Sequence, residues 1–180
     1  MQNAENVAPK NVALKQGLVF GAGLTVIEFV QALVNALVHP AVVVTYVIGF
    51  IVFLLALAAY AVSGFLASKQ TGKVSTGTLA GLWTGLISGV IGLIYTLILT
   101  FTLNSNNINQ AFANMPSNSG MSSESLKTIG LVSLVVALVF GSLFELGIGA
   151  GVGALGGLIG KNKAPRVDPV YPEYPSQQPY

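Results

Sequence analysis

The sequence predicts an all-α integral membrane protein, a bundle of four transmembrane helices followed by a disordered C-terminal tail. Three observations carry this. Of the 180 residues 53% are hydrophobic and only 8% are charged, where a soluble domain carries about a quarter charged residues. Four stretches, 17–39, 41–68, 77–103 and 129–160, are long and apolar enough to cross a bilayer core of about 30 Å, which takes roughly 20 helical residues. None of the four contains an internal proline.

The first span follows a cytoplasmic N-terminal segment, 1–16, and stops at His39-Pro40. Proline lacks an N–H and disfavours a helical residue before it, so the turn into the second span must be tight. The first run also resembles a signal peptide, with Lys10 and Lys15 ahead of it and Val34-Asn35-Ala36 as a loose cleavage site. Glu28, Gln31 and Asn35 interrupt its apolar region and it is too long for a signal core, so it reads as an uncleaved helix. Lys69 to Thr76 forms a short basic turn after the second span, with Ser75 or Thr76 as the expected N-cap of the third. The loop 104–128 is rich in Asn and Ser, and within it Ile108, Ala111, Phe112 and Met115 fall at the spacing of a short surface-lying amphipathic turn. The fourth span is longer than a bilayer requires, so it should tilt or project. The tail, 161–180, alternates Pro165, Pro169, Pro172, Pro175 and Pro179 with Tyr171, Tyr174 and Tyr180, an extended composition that offers a docking strip to a tail-binding protein.

Charge sets the orientation. Lys10, Lys15, Lys69, Lys73, Lys161, Lys163 and Arg166 fall on one side of a four-span chain and only Lys127 on the other. Basic residues of short loops are retained in the cytoplasm, so both termini belong there and 104–128 lies outside, in the plasma membrane.

Small residues recur on helix faces. Gly77, Gly81, Gly85 and Gly89 repeat every fourth residue in the third span; Gly141, Gly149, Gly153 and Gly157 do so in the fourth, with Glu145 in the same series. Lipid is as apolar as leucine, so helices associate in a bilayer by close packing and hydrogen bonds, which small faces permit. These glycine-zipper faces predict tight packing of the third helix on the fourth within one chain; a seam in a homo-oligomer or larger membrane complex is the alternative use. The second span carries a weaker series at Ala59, Ser63 and Ala67. Trp83, Tyr95, Tyr46 and Tyr60 include expected headgroup-level anchors.

Glu28 and Glu145 are the only charged residues inside the spans, each near the middle of its own. An ionised carboxylate at the bilayer centre costs about 2.5 to 3.5 kcal/mol, so these side chains should face protein or water, be protonated, or both. On a helical projection Gly17, Gly21, Glu28, Gln31, Asn35 and His39 share a stripe about 80° wide. Glu28, Gln31, Asn35 and Glu145 are therefore the candidate intramembrane polar site. One reading is an interhelical hydrogen-bond network; the other is a proton-coupled site, because two close carboxylates repel when both are ionised and one of them then holds an exchangeable proton.

Other chemistry is excluded or unsupported. A net charge of +2 without a basic stripe argues against nucleic acid. With no cysteine there is no thiolate or Cys-ligated metal, and the lone His39 forms no metal cluster. Gly151-Val-Gly153-Ala-Leu-Gly156 spells a dinucleotide fingerprint inside an apolar helix, the wrong context for a phosphate turn. Gly72-Lys73 lacks the other Walker residues, and no nucleophile and base are paired in a motif, so no catalytic residue, metal or cofactor is assigned.

Ser63-Gly-Phe-Leu-Ala-Ser-Lys69 and Gly77-Thr-Leu-Ala-Gly-Leu-Trp-Thr-Gly85 resemble the region joining helices two and three in small uncharacterised prokaryotic four-helix integral membrane proteins of the domain-of-unknown-function type. The resemblance implies a basic turn before a glycine-rich helix and supplies no catalytic residues. Taken together, the expectation is a non-enzymatic structural or assembly component of the membrane; the alternative is a small proton-coupled transporter or channel using Glu28 and Glu145.

Overall fold

The structure is a computed structural model and describes residues 8–102 and 122–165. Four helices fill these residues: α1 Pro9–Val38, α2 Val42–Thr71, α3 Val74–Thr102 and α4 Ser123–Lys161. No strand occurs among the described residues. Each helix is long and apolar enough to cross a membrane. The amphipathic turn expected at Ile108 to Met115 and the Pro/Tyr tail from Arg166 onward lie outside the described residues.

The helix ends differ from the apolar limits for local reasons. Pro9 sits in the first turn of α1, where its missing N–H would have no intrahelical partner anyway, so the helix starts eight residues before Gly17. At the other end His39 leaves the helix with φ 47° ahead of Pro40, and α2 begins three residues on. Gly72 closes α2 at φ 68°, its N–H donating to Ser68 O at 2.7 Å. Only Gly72 and Lys73 separate α2 from α3, so Ser75 and Thr76 lie inside the first turn of α3 and neither is its N-cap. Ser68 Oγ donates to Lys73 O at 2.9 Å and holds this turn against α2. The start of α4 lies inside the stretch expected to be loop: Ser122 caps it by accepting from Ser125 N at 3.1 Å, and Glu124 favours the helix N-terminus. At 39 residues, α4 is nearly twice the length a bilayer core demands.

α3 and α2 each touch all three other helices, whereas α1 and α4 stand diagonally opposite with little direct contact. In the half of the bundle nearest Gly72, main chain meets main chain. A methyl group at Gly64 of α2 would overlap Gly153 of α4; one at Gly81 of α3 would overlap Gly149 O; one at Gly156 would overlap Ala61 O. Gly77 and Gly157 lie against each other across the same seam, both beside Ser68. Gly17 and Gly21 of α1 give way to Trp83, Thr84 and Ile87 of α3.

Around these crossings, Val12, Ala13, Ala67 and Ala80 form one buried apolar cluster and Leu24, Ala56 and Tyr60 another. Three buried hydroxyls are satisfied within their own helices: Thr25 donates to Gly21 O, Thr84 to Ala80 O and Ser63 to Tyr60 O. Thr84 Oγ1 also lies 3.1 Å from Ser63 Oγ, linking α3 to α2. Toward the other end large side chains such as Val38, Val42, Phe101 and Phe140 are exposed, as a lipid-facing surface requires.

The contrast between two nearby glycines tests this packing. Gly153 has backbone of α3 at the place a Cβ would occupy, while Gly151 has nothing within 4 Å. Gly153→Ala is expected to destabilise the detergent-solubilised protein by about 1–3 kcal/mol. Gly151→Ala should be neutral or stabilising by up to about 1 kcal/mol, the helix-propensity gain. Thermal unfolding of the two variants checks this, and equal shifts would contradict the seam.

Candidate functional site

The centre of the site is the carboxylate of Glu145, which α4 brings between α2 and α3. Oε1 accepts a hydrogen bond from Tyr60 Oη at 2.6 Å and lies 2.7 Å from Ser88 Oγ. Tyr60 is 1% exposed and Ser88 fully buried, so three helices are tied through one oxygen by two donors that are shielded from bulk solvent. Ser88 has a single proton and a second acceptor, Thr84 O, at 3.0 Å. When Glu145 is ionised, Ser88 donates to it. A protonated Glu145 can instead donate to Ser88, which turns its own proton to Thr84 O.

Two features of α3 make room for carboxylates. A Cβ at Gly89 would sit 3.4 Å from Glu145 Oε2, and one at Gly92 would sit 3.8 Å from both Glu28 Oε2 and Tyr95 Oη. Tyr95 is held by an edge-on contact with Phe29 of α1, ring centroids 5.4 Å apart. No described residue hydrogen-bonds to Glu28, which distinguishes it from Glu145.

The two carboxylates share two clefts. One, about 250 Å³, lies between α1, α2 and α4 and is lined by Glu28, Val52, Phe53, Ala56, Tyr60, Gly141, Phe144, Glu145 and Ile148. The other, about 270 Å³, lies between α1, α3 and α4; its lining includes Glu28, Tyr95, Thr96, Gly141, Ser142 and Glu145. Glu28, Gly141 and Glu145 border both, so the acidic pair stands at the partition.

Of the four polar residues singled out in the sequence, Glu28 and Glu145 are brought together and Gln31 and Asn35 line neither cleft. Gln31 points toward Gly49 of α2, its Nε2 3.5 Å from where a Cβ there would lie. Asn35 Oδ1 is buried without a hydrogen-bond partner among the described residues, and His39 is exposed at the end of α1. The packing glycines Gly77, Gly81, Gly85, Gly89, Gly149, Gly153 and Gly157 all face other helices of the same chain, whereas Gly141 has open space.

Sequence reasoning missed Tyr60 and Ser88 as hydrogen-bond partners of Glu145, and Tyr95 in the cleft beside Glu28. Tyr60 is no headgroup anchor: it is buried near mid-helix, unlike Tyr46, which is 74% exposed near the start of α2. A signal was present. Tyr60, Ser63, Gly64 and Ala67 fall at i, i+3, i+4 and i+7, a small and polar helix face. Among the described residues no group of three or more His, Cys, Asp or Glu is placed to hold a metal ion.

Fold and site together define a multi-pass α-helical membrane protein with a pair of carboxylates inside its bundle. No family model, no curated protein and no solved structure matches the chain.

The shared acceptor predicts a non-additive result. Tyr60→Phe and Ser88→Ala should each cost on the order of 1 kcal/mol, as interhelical hydrogen bonds in membranes do. The double variant should cost clearly more than the sum, because the partly buried Glu145 Oε1 then loses both donors. Unfolding by graded denaturing detergent measures the cycle; simple additivity would contradict the shared oxygen.

Proposed function

We propose that the protein is a small non-enzymatic transporter that exchanges protons at Glu28 and Glu145. The supporting observation is that both midspan carboxylates border the same two clefts while differing in their partners. Glu145 is fixed by Tyr60 and Ser88. Glu28, with no hydrogen bond from a described residue, is the group free to trade a proton for a solute. An intramembrane ionisable residue is costly, and facing a cleft it is best explained by a ligand or proton. The polar network and the glycine-lined contacts also support the second reading, a passive packing or assembly component, in which Glu145 only fastens α4 to α2 and α3.

The two readings part in proteoliposomes loaded with a pH-sensitive dye and given small organic cations against a proton gradient. Proton counterflow is expected in the native protein, with Glu28→Gln abolishing it and Glu145→Gln reducing it. Unchanged flux in both variants would remove the transport reading and leave the packing one.

The orientation proposed is both termini in the cytoplasm, supported by Lys10, Lys15, Lys69, Lys73, Lys161 and Lys163 at one end of the bundle. The chain has no cysteine, so single replacements report cleanly. In right-side-out membranes an impermeant maleimide should label Ser122→Cys and spare Lys73→Cys; the reverse pattern would invert the topology.

A further inference from the structure

The two clefts at the carboxylate pair have different walls. On the α3 side Tyr95, Thr96 and Ser142 add hydroxyl groups. On the α2 side the walls are Val52, Phe53, Ala56, Phe144 and Ile148, and the one added hydroxyl, that of Tyr60, is already given to Glu145. We infer that the α2-side cleft receives a lipophilic monovalent cation, a tertiary amine or quaternary ammonium with an apolar body, taken from the bilayer. The inference rests on the transport reading above and names the solute class for it.

Complementarity selects the ligand. Two carboxylates repel an anion. A sugar or other neutral polar solute would leave its hydroxyls unpaired against hydrocarbon, at a cost of several kcal/mol in an apolar medium. A small metal cation would favour the oxygen-bearing α3 side. What remains is a charge that needs no directional hydrogen bonds on a body that prefers hydrocarbon, and ring faces such as Phe53 and Phe144 attract such a charge further.

Size and access agree. A volume of about 250 Å³ takes a body the size of a benzyl ammonium ion. Phe53 and Phe144 line the cleft yet are 47% and 72% exposed, so its rim reaches the lipid-facing surface. Gly141 borders the cleft with nothing within 4 Å of its Cβ position, which keeps the space beside the carboxylates open. On binding, the cation's single charge replaces the proton of Glu28, which leaves to water on the hydroxyl-lined α3 side, so charge at the pair is conserved.

The test uses the full chain in nanodiscs, with radiolabelled benzyltrimethylammonium as probe and neopentylbenzene as its neutral isostere. Saturable binding is expected, with neopentylbenzene a poor competitor. Glu28→Gln and Val52→Trp, which fills the α2-side cleft, should each weaken binding by roughly tenfold or more. Leu93→Trp, which narrows only the α3-side cleft, should leave it within about threefold. Val52→Leu serves as a milder filling variant if Val52→Trp does not fold. Absence of saturable binding, equal competition by the neutral isostere, or loss of binding in Leu93→Trp with retention in Val52→Trp would overturn the assignment. Proton release measured in weak buffer separates the two proposals. Cation bound without proton release upholds the cleft's ligand and overturns exchange; proton counterflow with other solutes, without benzyltrimethylammonium binding, overturns the ligand class alone.

Discussion

Backbone meets backbone where Gly64 of α2 and Gly81 of α3 lie against Gly153 and Gly149 of α4, and the rest of the bundle is built outward from that approach. In lipid there is no hydrophobic drive to bring helices together, because the solvent is as apolar as the side chains. Association depends on dispersion contacts and interhelical hydrogen bonds, and both fall off steeply with distance. Removing side chains at these positions lets three helices approach to main-chain contact. Glu145 lies one turn beyond Gly149 along α4, so the glycine seam also determines the depth and direction at which its carboxylate enters the bundle.

That placement explains the asymmetry of the acidic pair. Close approach of α2 and α3 to α4 delivers Tyr60 and Ser88 to a single oxygen of Glu145, where they offset the cost of a polar group away from water. Farther along, α1 and α4 stand diagonally apart and the packing opens into clefts. Glu28 borders this opening, so it keeps space and lacks a fixed donor. One carboxylate therefore serves the architecture and the other is left available, although each sits near the middle of an apolar helix.

Much of the fold was legible in the residues. Four apolar runs, Pro40 as a break and the basic turn from Lys69 to Thr76 were enough to count and separate the helices. The helix ends were less legible, because hydropathy reports what lipid tolerates whereas helices continue until a cap stops them. Ser122 and Pro9 set ends that lie well outside the apolar limits. Within the site, Glu28 and Glu145 stood out because a charge in an apolar run has no other camouflage. Tyr60 and Ser88 did not, since a tyrosine or serine in a membrane helix is ordinary until its neighbours are known.

The sequence by itself determined the membrane class, the number of apolar spans, the faces on which side chains are small and the positions of the two carboxylates along their helices. These are properties of one helix at a time, fixed by composition and by the 3.6-residue repeat. Only the tertiary structure decided that Glu28 and Glu145 border the same clefts, that Gln31 and Asn35 line neither, and that the α2-side cleft has apolar walls while the α3-side cleft carries hydroxyls. Each of these depends on how helices are rotated against one another. That rotation is set by which glycine backbones come into contact, a relation between distant segments that no single helical pattern contains.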